Sequence, residues 1–266
     1  MNVYLRELKS HRKALFFWSI GMVFLVASGI AKFAAYQTSG QSIASIVEQF
    51  PKTVQVIFGT NGFNLTKASG YYGVLFLYIA LMATTHAALL GSEMISKEER
   101  DRTSEFLFAR PIKRSRVITA KLFAGLTNLV VLNVVTLLSS LYFVNYFTKG
   151  RQDITHYILL MSAALFIMQM MFFSIGTAVA GVIKKPKASG SIATSTLVAT
   201  LLLMFLINLN GKIDALKYLT PFKYYDAAAI LASNMLDRVY IVISAGIIAA
   251  AIYATYYFYS RRDLNV

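Results

Sequence analysis

Cysteine is absent from this chain of 266 residues, which excludes disulfides and thiolate metal sites. Histidine is scarce: His11, His86 and His156 lie far apart and form no His-x-x-x-His pair or His/carboxylate group of metal-binding form. No G-x-x-x-x-G-K-[ST] run occurs, so the chain builds no P-loop. Only four prolines are present (Pro51, Pro111, Pro186 and Pro221), and none interrupts a long apolar run. Acidic residues number 12 against 26 Lys and Arg. Sustained internal repeats and low-complexity tails are also lacking.

Apolar residues dominate what remains. The chain is 57% hydrophobic with mean hydropathy +0.58, well above a soluble globular domain. Six apolar runs, at about 14–35, 71–95, 118–146, 156–182, 189–209 and 238–260, are each long enough to cross a hydrocarbon core of about 30 Å. A lipid-exposed backbone must satisfy its own hydrogen bonds, so these runs are expected to be helices. The expectation is an all-α integral membrane protein, one transmembrane domain over residues 1–266. The first 13 residues and the run after them resemble a signal peptide. That run is long and no small-x-small cleavage site follows it, so an uncleaved first span is expected.

The net charge of +14 is unevenly placed. Arg6, Lys9, Arg12 and Lys13, the stretch Lys97–Lys121, Lys184, Lys185, Lys187, Arg261 and Arg262 hold 17 of the 26 Lys and Arg. The longer segments between the other span ends share nine. This asymmetry predicts both termini on the cytoplasmic side, in contact with anionic membrane lipids. A nucleic-acid partner would need a basic surface with aromatics on a soluble module, and none is present.

Between the spans, local patterns suggest shorter elements. Tyr4, Leu8, His11 and Leu15 recur at helical spacing with Arg6, Lys9, Arg12 and Lys13 off that stripe, which predicts an interfacial helix over 1–13. Segment 36–70 reads as outside, with amphipathic turns before Pro51 and a loop rich in Gly and Asn over 59–70. Segment 210–237 is too polar to span yet helix-like around Pro221, which predicts short outer re-entrant helices between spans five and six.

The loop over 96–116 is the densest in charge. Ser96-Lys97-Glu98-Glu99 has the form of a capping box, and Thr103-Ser104-Glu105 begins a second short helix that ends before Pro111. Phe106, Leu107 and Phe108 are apolar in this charged setting. Burying such side chains is worth roughly 1.5–3 kcal/mol each, so they are expected to enter a protein groove or the membrane surface, or to pack on this chain's own helix ends. The residues alone leave these options open. Glu98-Glu99 also suggests the EExxxR pattern of an intramembrane protease, but the sixth position is Thr103 and the pair lies in a charged loop. A hydrolase is therefore not expected.

No Asp, Glu, Lys or Arg falls mid-span, which counts against a carrier driven by protons or sodium. Polar side chains do occur within the spans: Thr84, Thr85, His86, Asn128, Asn133, Gln169, Thr194 and Thr196. They read as interhelical hydrogen-bonding groups. The sharper alternative is a substrate path along Thr85, His86, Asn128, Asn133, Gln169 and Thr194.

Taken in order, Glu98-Glu99, Thr103-Ser104-Glu105-Phe106-Leu107, Ala109-Arg110-Pro111 and Lys113-Arg114 resemble the inner loop of the permease subunits of type-2 ABC exporters. This is the multidrug, antibiotic and polysaccharide-export class with the type V exporter fold. Its loop reads as acidic residues, Gly-Thr-x-Glu-x-Leu-Leu, two residues, Pro and a basic cluster. Leu219-Thr220-Pro221-Phe222-Lys223-Tyr224 is similar to the family's outer signature, and the six spans extend the resemblance over the whole chain. Arg102 stands where the family usually has Gly, which bears on how the loop bends.

The resemblance implies that the loop is a cytoplasmic coupling helix seated in a groove of a separate ABC ATP-binding subunit, present in two copies. Phe106 and Leu107 would be its apolar plug, with Glu98, Glu99, Glu105 and Arg110 at the rim and Glu93 and Thr103 in the same interface. Pro111 would end the helix, and Lys113 and Arg114 would hold the membrane surface. The chain would be no enzyme and hold no cofactor, ATP and Mg being bound by the partner. A second permease subunit, identical or a paired homologue, would complete a dimer lined by spans two and five. The implied setting is the bacterial plasma membrane and the implied task is export of an amphipathic or lipophilic substrate. Likeness to small Gram-positive toxin- and antibiotic-export permeases points to a peptide toxin, an antimicrobial peptide or a drug. The alternatives are an ATPase-coupled mechanotransmission device that moves no cargo, and a sensory or assembly protein without an ATPase.

Overall fold

The computed structural model describes residues 2–39, 47, 49–101, 113–150, 152–183 and 185–261. In chain order the helices are α1 (Val3–Ser39), the short α2 (Lys52–Ile57), α3 (Ala68–Arg100), α4 (Arg114–Thr148), α5 (Thr155–Val182) and α6 (Pro186–Leu209). A 3-10 helix, Gly211–Leu219, then leads to α7 (Pro221–Tyr224), α8 (Ala227–Ser233) and α9 (Arg238–Arg261). Six of these, α1, α3, α4, α5, α6 and α9, are long and apolar enough to cross a membrane, matching the six expected spans. No strand occurs among the described residues.

The first helix differs from expectation. From Val3 to Lys13 the chain is no separate interfacial helix: it is the start of α1, which runs unbroken for 37 residues. At 1.5 Å per residue that is about 55 Å, far more than a hydrocarbon core needs. The stripe Tyr4, Leu8, His11 and Leu15 faces protein, with His11 buried and the other three packed on the core. The basic residues Lys9, Arg12 and Lys13 are exposed, as their places off that stripe require. The capping-box reading of Ser96–Glu99 also fails. The helix continues to Arg100, and the Ser96 hydroxyl donates to the Ser92 carbonyl one turn back at 2.7 Å. It continues because Ile95 and Glu98 still have buried surfaces to pack against.

α3 lies at the centre, against α1, α4, α5, α6 and α8. Its seam with α5 is built from small residues, which lets the two backbones approach closely where lipid supplies no hydrophobic drive between helices. A Cβ added at Gly91 would lie 2.2 Å from the Phe173 carbonyl oxygen, and one at Gly176 would lie 2.5 Å from that of Ala88.

One end of the bundle, the basic end, gathers the basic segments. There Arg114 Nη1 donates to the Ser260 carbonyl at 3.3 Å, Thr119 and Tyr256 share a 2.7 Å hydroxyl contact, and Ser189 donates to Ser96 at 3.0 Å. The start of α4, the end of α9, the start of α6 and the end of α3 therefore meet. At the opposite end, the Gln152 side chain accepts the Ala68 N–H at 2.7 Å. The short helices around Pro221 pack there on the long ones: Phe222 against Phe172 at 5.5 Å, Thr220 donating to the Thr200 carbonyl at 2.8 Å, and the Tyr225 and Ser244 hydroxyls sharing a 2.9 Å contact. Pro186 and Pro221 open their helices, where a missing N–H costs nothing. The Asp226 side chain caps α8 by accepting the Ala228 N–H at 3.0 Å.

Candidate functional site

At the basic end α3 stops at Arg100 and α4 starts at Arg114, so the two helix ends are the roots of the segment between them. At those roots lies a buried charge cluster. Lys121, on the third turn of α4, is 1% exposed. Its ammonium group lies 2.7 Å from the Glu98 carboxylate, donates to the Met94 carbonyl at 2.5 Å, and sits 3.6 Å from Glu7 Oε1 on α1. Arg6 closes the group from its rim, donating through Nη2 to Glu98 at 2.8 Å and to Glu7 at 2.9 Å.

Two cations thus face two carboxylates across three helices. Balance of this kind is what lets charge persist away from water, because an uncompensated buried ion costs several kcal/mol. Further ties flank the cluster. Lys97 donates to Ser10, and Tyr4 shares a 3.0 Å hydroxyl contact with Thr127. His11 Nε2 approaches Glu7 Oε2 at 3.9 Å, beyond hydrogen-bond reach.

Beside the cluster, between α1, α3 and α6, opens a cavity of about 230 Å³ whose wall includes His11, Trp18, His86, Glu93, Arg100 and Ser189. The rings of Trp18 and His86 are 5.3 Å apart. At its mouth Arg100 bridges Glu93 at 3.2 Å and Asp101 at 3.1 Å.

Residues 1–264 match the family model described as ABC-2 family transporter protein. The chain belongs to that family. It is a multi-pass membrane protein of a transport permease family, and membership implies an ABC ATP-binding partner. Among curated proteins no relative matches the sequence.

For this ABC-2 permease the structure places part of the expected interface. Thr103, Glu105, Phe106, Leu107, Arg110 and Pro111, with the second short helix expected there, lie outside the described residues. Glu93 is half-exposed and is paired with Arg100. Glu98 and Glu99, expected at the rim, are 4% and 8% exposed in this chain. Glu98 is directed inward because Lys121 and Arg6 hold its carboxylate. Arg114 begins α4 and bonds the end of α9.

The residues of the expected substrate path separate into distinct settings. Asn133 donates to the Ser162 carbonyl at 3.2 Å and to Gln169 Oε1 at 3.3 Å, while the Ser162 hydroxyl donates to Asn133 Oδ1 at 2.9 Å. That group is a clasp between α4 and α5. Thr85, Asn128 and Thr194 bond carbonyls of their own helices. Of the six, His86 lines the cavity just described.

Sequence reasoning missed Glu7 and counted Lys121 only as loop charge. Glu7 had a readable signal, since it falls on the same helical stripe as Tyr4, Leu8, His11 and Leu15. Lys121 had a weaker one, its place within an apolar stretch that continues the helix from Arg114.

Proposed function

We propose that this permease is the transmembrane subunit of an ATP-driven exporter, coupled through the loop between α3 and α4 to a separate ATP-binding subunit. The observation that carries the reading is the buried tie of Lys121 to Glu98 and Glu7, which locks α1, α3 and α4 together at the loop's two roots. A loop that only covered the helix ends would have no need of such a tie beneath it. A loop that receives force does, because the push must reach several helices together.

In this reading Phe106 and Leu107 seat in a groove of the ATP-binding subunit, Thr103, Glu105 and Arg110 meet its rim with Glu93, and Pro111 ends the docked helix. Glu98 stiffens the base instead of touching the partner. ATP and Mg²⁺ are held by the partner, whose closure around nucleotide moves the loop. The charge cluster makes α1 and α4 follow α3, and the close glycine seam at Gly91 and Gly176 passes the motion to α5. A second permease, identical or homologous, completes the translocation route. Both termini and the basic end face the cytoplasm of a bacterial plasma membrane, where anionic lipids meet the surplus charge. The cargo is amphipathic or lipophilic, a peptide toxin, antimicrobial peptide or drug.

The test is hydrolysis by the purified complex in vesicles, titrated with amphipathic peptides and lipophilic drugs. An exporter gives cargo-stimulated hydrolysis together with ATP-dependent movement of that cargo. Hydrolysis indifferent to every amphiphile would replace export with a mechanical role.

A further inference from the structure

A second cavity lies at the opposite end of the bundle from the charge cluster, between α1, α2 and α3. It measures about 470 Å³, within the range of small-molecule sites. Its inner part is walled by Leu25, Phe58 and Leu75. α1 and α3 approach closely along its wall at Gly29, where an added Cβ would lie 2.6 Å from Leu75 Cδ1. Towards the end of the bundle the wall turns polar, with Lys32, Tyr36, Gln55 and Thr60.

The polarity therefore runs along the cavity. Lys32 is seven residues past Leu25 on α1, about 10 Å further along the helix axis. Lys32 is exposed, no acidic residue is among the described residues that line the cavity, and no ion pair involves Lys32 among them. A lysine at a span end commonly reaches out to water along its own stem. Here the lysine lines an otherwise largely apolar cavity in a helix bundle built to sit in lipid. Charge at the rim and hydrocarbon walls beneath it are the two halves of a lipid site.

We infer that this cavity holds an anionic phospholipid, its phosphate against Lys32 and one acyl chain along Leu25, Phe58 and Leu75. The site is separate from the charged base of the loop and needs no ATP-binding subunit, so it stands or falls independently of the exporter reading.

The experiment places the purified full-length chain in phosphatidylcholine nanodiscs carrying a trace of photoreactive phosphatidylglycerol or of its phosphatidylcholine analogue. Labelled peptides are then mapped by mass spectrometry. Phosphatidylglycerol is expected to label the stretches 25–36 and 71–78 about fivefold more than the zwitterionic lipid, the preference one surface lysine gives. Lys32→Arg keeps the preference, and Lys32→Gln removes it with an unchanged size-exclusion profile. Val54→Trp, which fills the cavity from α2, lowers labelling by both lipids. Equal labelling by the two lipids, label confined to other segments, a preference that survives Lys32→Gln, or a yield untouched by Val54→Trp would each overturn the assignment.

Discussion

Lys121 Nζ lies 2.7 Å from the Glu98 carboxylate, and this ion pair joins α4 to α3 where both leave the bundle for the loop. Both side chains are almost wholly buried. Removing one partner of a buried pair costs about 3–5 kcal/mol, because the other charge stays behind unpaired, whereas exchanging both for apolar residues is close to neutral. Lys121→Met should therefore lower the unfolding temperature in detergent sharply. Adding Glu98→Leu should recover part of the loss, but not all, because Glu7 also faces Lys121. Size-exclusion profiles after graded heating read this directly. A Lys121→Met protein as stable as the parent would show that the cluster holds nothing together.

The seam between α3 and α5 makes a contrasting pair of glycine predictions. Gly91→Ala puts a Cβ 2.2 Å from the Phe173 carbonyl oxygen, a backbone atom that moves only if a helix moves. Overpacking of this kind costs typically 1–3 kcal/mol or more. Gly246 on α9 has no heavy atom within 4 Å of the corresponding position, so Gly246→Ala should be neutral or stabilise by up to about 1 kcal/mol through helix propensity. Expression yield and heating profiles of the two variants, measured side by side, check both.

Asn133 separates the clasp from the substrate path. As a clasp to Ser162 and Gln169, Asn133→Leu should cost about 0.6–1.7 kcal/mol of stability, between the average and the largest values for interhelical hydrogen bonds in membranes. The cargo concentration that half-stimulates ATP hydrolysis should not change. A shift in that concentration without loss of stability would restore Asn133 to a transport path.

Absence of cysteine gives sidedness a clean readout on the purified chain, since it carries no thiol of its own. A membrane-impermeant maleimide should label Asn61→Cys in intact cells and Ser104→Cys only after permeabilisation. The reverse pattern would invert the proposed topology.

Six spans were legible in the sequence because proline-free apolar runs of that length have few other solutions, and six helices long and apolar enough to cross a membrane are found. Helix ends were harder. Ser96 to Arg100 are polar enough to read as a new start, but packing of Ile95 and Glu98 carries α3 through them. The charge cluster was hidden for a different reason. Glu7 and Lys121 are far apart in the chain, and no local pattern announces that one carboxylate and one ammonium group will meet. Counting Lys121 toward a charge asymmetry gave the correct sum and missed the contact. Asn133 and Gln169 were visible as polar residues in apolar helices, but only the α4–α5 register shows that they bond each other.

Docking of the loop on an ATP-binding subunit is the central claim, and a mild-detergent pull-down of the full chain from its native membrane tests it most directly. The expected result is an ABC ATP-binding subunit recovered with the parent chain and lost with Phe106→Asp, while the variant's own yield and size-exclusion profile hold. A Phe106→Asp chain that still brings the ATP-binding subunit down at normal yield would contradict the groove assignment. A parent chain recovered as an intact permease dimer without any such subunit would contradict the coupling itself.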